Sequence, residues 1–234
     1  SAIARGAACA FARRGHPLYL AARDLPELER IAADVAIRYG VPARCGVFDA
    51  EDYAAHRNFL DGVVREMNGL TGVLLASGYM GDSLAARHFE SGSRVIAINF
   101  TGAASMLGLC ADYMEKAGSG FIIGITSVAG DRGRQSNYVY GAAKGALNLY
   151  LQGLRNRLFP AGVRVITVKP GFVDTAMTFG LPGLFLVASP AAVGERIVKS
   201  LEGRADVIYV PWFWRYIMLI IRSIPETIFK RLKL

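Results

Sequence analysis

Cysteine is scarce and unpaired in this chain of 234 residues. Cys9, Cys45 and Cys110 are too few and too far apart for a disulfide framework or a cysteine zinc site. Cys9 and Cys45 lie in apolar surroundings and read as buried, reduced thiols, which points to a reducing compartment, the cytoplasm. Histidine is equally thin. His16, His56 and His88 lack ligand spacing and read as solvated side chains, so no metal site is expected. No secretory leader is in view, because Ser1 opens directly into the helical pattern Ala2-Ile3-Ala4-Arg5-Gly6-Ala7-Ala8. Acidic residues are in deficit, 19 against 27 basic ones, for a net charge of +8. That excess suits an anionic partner: nucleic acid, acidic lipid or a phosphorylated ligand. The arginines are scattered, and no basic helix carries interleaved stacking aromatics, so nucleic acid is not expected as a partner.

What is present is ordinary globular material, 53% hydrophobic and 20% charged. The length suits one large domain. Pro17-Leu18-Tyr19-Leu20-Ala21-Ala22 is a continuous apolar run, the mark of a strand covered on both faces. Similar runs lie near 43–48, 71–76, 120–126, 163–168 and 206–210. Between them fall helical stretches near 3–14, 24–38, 52–66, 83–116, 137–158 and 190–202. Strand, helix, strand at this spacing predicts a doubly wound α/β fold, a mostly parallel sheet with helices on both faces. Residues 1–210 read as one domain and 211–234 as an amphipathic helical tail. In such sheets ligands bind beyond the carboxyl ends of the strands, so the residues just past each run are the ones of interest.

After the first run, Ala22 leaves empty the place of an acid that would bind a ribose hydroxyl, and Arg23 supplies a cation suited to a 2′-phosphate. Asp49 follows the second run and Ala76-Ser77-Gly78 the third, small residues that let backbone approach a flat ligand. The strongest pattern follows the fourth. Ser127 stands just past the strand, and thirteen residues later Tyr140 is followed at i+4 by Lys144. Residues four apart share a helix face, so phenol and ammonium point together into the crevice. An ammonium about 4 Å away offers a phenolate roughly 4 kcal/mol at an effective dielectric near 20, about three pKa units. The expectation is a Tyr140 pKa lowered by Lys144 toward useful proton transfer.

Ser127, Tyr140 and Lys144 resemble the catalytic residues of the short-chain dehydrogenase/reductase family, and the likeness covers nearly the whole chain. The resemblance implies a fold of Rossmann type and a tetrad completed by Asn99 in Ile96-Ala97-Ile98-Asn99-Phe100. In it Ser127 would hold a carbonyl oxygen and Tyr140 give it a proton. Lys144 would tune Tyr140 and hold the nicotinamide ribose, and Asn99 would fix a water. Pro170-Gly171-Phe172-Val173-Asp174-Thr175 resembles the turn at which Pro170, Gly171, Val173 and Thr175 meet the nicotinamide, and Asp49 the residue beside the adenine. The family's opening strand and glycine turn are not matched in full. The chain starts at Ser1-Ala2-Ile3-Ala4, with Ser1 and Ile3 as the implied cofactor contacts. A strand plus a turn, roughly ten to twenty residues, is expected before Ser1. Where the family has Asn-Asn-Ala-Gly this chain has Leu75-Ala76-Ser77-Gly78.

Ala76-Ser77-Gly78-Tyr79-Met80-Gly81-Asp82, Asn137-Tyr138-Val139-Tyr140-Gly141 and Pro211-Trp212-Phe213-Trp214-Arg215 are similar to the decaprenylphosphoryl 2-keto-pentofuranose reductases. The implied activity is NADP(H)-dependent reduction of a ketone, a keto-sugar on a lipid phosphate carrier. The alternatives are reduction of a lipophilic ketone or a 3-oxoacyl thioester, or a non-catalytic dinucleotide sensor. A homo-oligomer is implied as well. Val207–Ile221 is apolar but only fifteen residues long, short of the about twenty a crossing needs. From Trp212 onward Arg215, Arg222, Glu226 and Lys230 form a polar stripe, Pro225 should kink the helix, and the end is basic. This pattern suits peripheral contact with the inner face of a membrane, or else a lid or subunit contact. Residues 176–189 read as a mobile apolar lid over the substrate.

Overall fold

The computed structural model of the chain describes residues 1–81, 88–180 and 185–232. Asp82, the start of the helix expected from 83, part of the expected lid and the last two residues lie outside them. The elements run α1 (Ala2–Arg13), β1 (Leu18–Ala22), α2 (Leu25–Tyr39), β2 (Ala43–Val47), α3 (His56–Met67) and β3 (Gly72–Leu75). Next come α4 (Phe89–Ile96), a π-helical turn (Ala97–Thr101), α5 (Gly102–Ala117), β4 (Phe121–Ile125), a 3-10 turn (Val128–Asp131) and α6 (Tyr138–Leu158). A short 3-10 turn (Phe159–Ala161), β5 (Arg164–Pro170), α7 (Pro190–Lys199), β6 (Val207–Val210), α8 (Trp214–Ser223) and α9 (Glu226–Phe229) complete the order.

All strand pairs are parallel. Leu18 lies opposite Ala43, Gly72 opposite Phe121, Phe121 opposite Arg164, and Thr167 opposite Val207. The fold is the expected α/β arrangement of parallel strands between helices. The sheet, however, comes in two pieces, β1-β2 and β3-β4-β5-β6, and among the described residues β1 and β3 each have one edge without a strand partner.

Successive residues of a strand point to opposite faces, and β4 shows it. Ile122 joins Leu60, Leu107, Met114, Leu147, Leu151 and Leu158 under α3, α5 and α6, while Ile123 joins Phe11, Ile166, Val168, Val193 and Ile197 under α1 and α7. Phe89–Ala117 is one helix in three segments, long and apolar enough to cross a membrane by composition alone. Here it is a core helix, with Leu107, Cys110, Ala111 and Met114 fully enclosed. The buried thiol is therefore Cys110, while Cys9, at the edge of a small cluster with Ala12, Val35 and Val41, and Cys45, within β2, are only half-buried. His56 is also not solvated. It caps a buried corner, with Nε2 on the Asp49 carbonyl at 3.0 Å and Nδ1 on Ser105 Oγ at 2.9 Å.

The tail breaks where proline dictates. Ile224 is extended ahead of Pro225, which separates α8 from α9. Trp214 and Met218, four residues apart, pack with Val128 into a small core of their own.

Candidate active site

The carboxyl end of β4 delivers the central residues. Ser127 caps the 3-10 turn, its Oγ accepting from Ala129 N–H at 3.1 Å. The turn then lies flat on the start of α6, which glycines permit. A Cβ on Gly141 would stand 2.8 Å from the Ala129 carbonyl oxygen, and one on Gly130 would stand 2.7 Å from Gly145 N. This close seating brings Ser127 to Tyr140, to which it is hydrogen-bonded. One helical turn on, Lys144 is 2% exposed. Its Nζ donates to the Ser77 carbonyl at 2.9 Å and the Ile125 carbonyl at 3.2 Å, which ties the end of β3 to the end of β4.

The electrostatics correct the sequence expectation. Burial pushes the Tyr140 phenol up to about 12, with the Ser127 hydrogen bond pulling weakly the other way. Burial also pulls Lys144 down to about 7. Its ammonium sits 5.9 Å from the centre of the Tyr140 ring and directs two of its protons to carbonyls. Desolvation of both groups outweighs the attraction that spacing alone predicts. Tyr140 is thus a firmly protonated phenol at neutral pH, an acid in waiting.

Asn99 is fully enclosed within the π-helical turn, a feature common at functional sites. Its Nδ2 donates to the carbonyls of Val95 at 2.7 Å and Tyr79 at 2.5 Å, and its Oδ1 accepts from Tyr79 N–H at 3.2 Å. It staples the Ala76-Ser77-Gly78-Tyr79 segment, and Gly78 keeps that wall thin beside Met177.

The remaining expected contacts follow the carboxyl ends of other strands or open α1. Ser1 caps α1, whose first turn, holding Ile3, carries no acidic side chain. Arg23, just past β1, is exposed, with no ion pair or hydrogen bond among the described residues. Asp49 Oδ1 accepts from Glu51 N–H at 3.0 Å in the turn after β2. Pro170 ends β5, Gly171 N–H donates to the Val210 carbonyl at 3.0 Å, and the Trp214 indole presses on Gly171 where any side chain would stand. Val173 pairs with Ala188, and Thr175 N–H donates to Thr178 Oγ1 at 3.1 Å.

This set fits a dinucleotide. A helix start free of acids suits a pyrophosphate, and an arginine past β1 without a partner among the described residues suits a further phosphate, while the buried lysine is held by two carbonyls among those residues, which suits a ligand hydroxyl. Among the described residues, no group of three or more His, Cys, Asp or Glu is arranged to hold a metal.

Sequence reasoning missed a second buried network beside the first. Lys169 Nζ lies 2.5 Å from Asp131 Oδ1, and Tyr209 OH donates to Asp131 Oδ2 at 2.7 Å. Arg132, the next residue along, donates to the carbonyls of Ile221, Arg222 and Ile224 at 2.7, 3.1 and 2.6 Å and to Glu226 at 2.9 Å. Its guanidinium lies 3.8 Å over the Phe229 ring. The only hint in the sequence was a lysine directly ahead of Pro170-Gly171.

Comparison with known proteins agrees with this geometry. Residues 1–181 match the family model described as short chain dehydrogenase. An uncharacterized oxidoreductase of Mycobacterium tuberculosis is 32% identical over 221 residues, 93% of this chain and 88% of that protein. Among solved structures, NAD+-bound xylitol dehydrogenase superposes with a TM-score of 0.79 at 22% identity, over 88% of this chain and 92% of the other. A variant of the actinorhodin polyketide ketoreductase with NADPH superposes with a TM-score of 0.80 at 19% identity, over 90% and 92%. The solved structures are alike in fold.

Proposed function

Because the chain belongs to the short-chain dehydrogenase family and is an oxidoreductase, we propose that it reduces a ketone with NADP(H). The observation that carries this reading is the meeting of Ser127, at the end of β4, with Tyr140 and the buried Lys144 on one face of α6.

Bound there, the nicotinamide supplies the hydride. Ser127 Oγ–H donates to the ketone oxygen and fixes it. As charge gathers on that oxygen it becomes far more basic than a phenolate, so Tyr140, protonated up to about pH 12, gives it the proton. Lys144 then faces a phenolate instead of a phenol and stabilises it, while holding the ribose. Asn99 keeps the Ser77–Tyr79 wall in place and would fix a water in the proton relay. Ser1 and Ile3 would hold the pyrophosphate and Asp49 the adenine. Ala76, Ser77 and Gly78 would line the ring pocket, and Pro170, Gly171, Val173 and Thr175 would orient the nicotinamide. Arg23 favours NADP(H) over NAD(H), since its free guanidinium meets the extra phosphate.

The favoured substrate is a keto-sugar on a lipid phosphate. It is supported by the apolar side chains Phe179, Phe185, Leu186 and Val187, exposed on the segment after Thr175. A lipophilic ketone or 3-oxoacyl thioester uses the same chemistry. The enzyme would work in the cytoplasm at the inner face of the membrane, as a homo-oligomer. The test is consumption of NADPH and NADH with a panel of such ketones. NADPH is expected to be preferred, and Tyr140→Phe to cut turnover about 10²–10⁴-fold with NADPH binding intact. A Phe variant that still turns over refutes the assignment, and binding without turnover on any ketone leaves a dinucleotide sensor.

A further inference from the structure

The outward face of α8 is built the wrong way round for a helix that ends in water. Trp214, Ile217, Met218 and Ile221 face the domain, and between them the helix has spent its inner stripe. Yet Tyr216, Leu219 and Ile220 on the opposite side are 58%, 61% and 67% exposed, and Trp212, edge-on to Tyr216, is 66% exposed. The flank of the same helix carries Arg215 and Arg222, both exposed, and Lys230 and Arg231 follow in the exposed end of the tail. The one acid of this surface, Glu226, is paired with Arg132. The apolar face continues into the loop, for Phe185 rests on Trp214 and Phe172 at ring separations of 5.7 Å, with Leu186 and Val187 exposed beside it.

We propose that this surface (α8 with Trp212 and the adjoining 185–187 loop) seats the protein on an anionic lipid bilayer. Aromatic and aliphatic side chains flanked by arginine and lysine are what an acyl boundary under acidic headgroups accepts. A second copy of the chain fits less well, since a two-fold contact repeats each patch on both sides and would set these cations facing one another on a molecule already at +8. The proposal deepens the reading of a lipophilic or lipid-linked substrate but does not rest on Tyr140.

Flotation of the full chain with phosphatidylglycerol-rich vesicles at low salt tests it. Binding is expected on these vesicles, weak on phosphatidylcholine alone, and reversed by high salt. Trp212 emission should shift to the blue on binding. Leu219→Glu with Ile220→Glu should lower binding at least tenfold, as should Arg215→Glu with Arg222→Glu. All four substitutions are at exposed positions, so unchanged thermal melting confirms an intact fold. Tyr140→Phe should float like the wild type, which separates this outcome from that of the catalytic reading. No flotation at low salt, or equal flotation with phosphatidylcholine, overturns the proposal. So does a dimer in solution that Leu219→Glu dissociates, which would give the face to a second copy.

Discussion

Two lysines are buried at the carboxyl ends of adjacent strands, each beside a tyrosine, and they are opposites. Lys169, next to Tyr209, meets the carboxylate of Asp131, so its charge is balanced where it lies. Lys144, next to Tyr140, meets only the carbonyls of Ser77 and Ile125 among the described residues. Burial then acts on it unopposed and draws it down to about 7. A neutralised buried ion is a brace, whereas one left with dipoles alone costs stability and persists where chemistry needs it. Spacing marks only the first pair, Tyr140 and Lys144 four residues apart, because Tyr209 lies far from Lys169 in the sequence and meets it only in the fold.

Removing each lysine sharpens the contrast. Lys144→Met should cost the reductase activity about 10²–10⁴-fold, the scale of a lost proton-transfer partner, as single-turnover rates will show. Lys169→Met should act first on stability. It strands the Asp131 carboxylate, at about 3–5 kcal/mol, visible in urea unfolding. Pairing it with Asp131→Leu should restore most of that loss, and a double variant as weak as the single one would break the comparison.

The next difference lies in pH. The pKa of Lys144 is lower in the folded chain than its ordinary 10.5. Between about 7 and 10.5 the unfolded chain therefore binds the extra proton, and stability contributed by this site rises with pH. Urea unfolding at pH 7 and pH 9 should move in favour of wild type over Lys144→Met as pH rises. The smallest effect is expected at Arg132→Ala, which removes hydrogen bonds to tail carbonyls. A loss of about 1–3 kcal/mol should come with a fall in kcat larger than any change in KM for NADPH, because Arg132 directly follows the turn that Ser127 caps.

Much of this was legible beforehand for a physical reason. Unbroken apolar runs put Leu18–Ala22 and Phe121–Ile125 within a residue or so of their expected places, but only Phe121–Ile125 is covered as expected, for Leu18–Ala22 is half-buried with Ala21 exposed in the two-stranded piece. Ser127, Tyr140 and Lys144 come together because one is fixed at a strand end and two share a helix face. The brace escaped because its members are 38 and 78 residues apart, and no local rule pairs them. The direction of the Tyr140 shift escaped because spacing reports neighbours and not solvent. His56 was misread for the same reason, since its helix showed polar surroundings while its ring turned inward to Asp49 and Ser105.

Arg132 has one further implication. Its single guanidinium gathers the last carbonyls of α8, the Glu226 carboxylate and the Phe229 ring, one residue past the Asp131 that ends the turn begun at Ser127. Scissors applied after Val210 would not release a tidy catalytic half. They would pull a rivet, and a force tugging on the tail, from a lipid surface or anything else, would be felt at the serine.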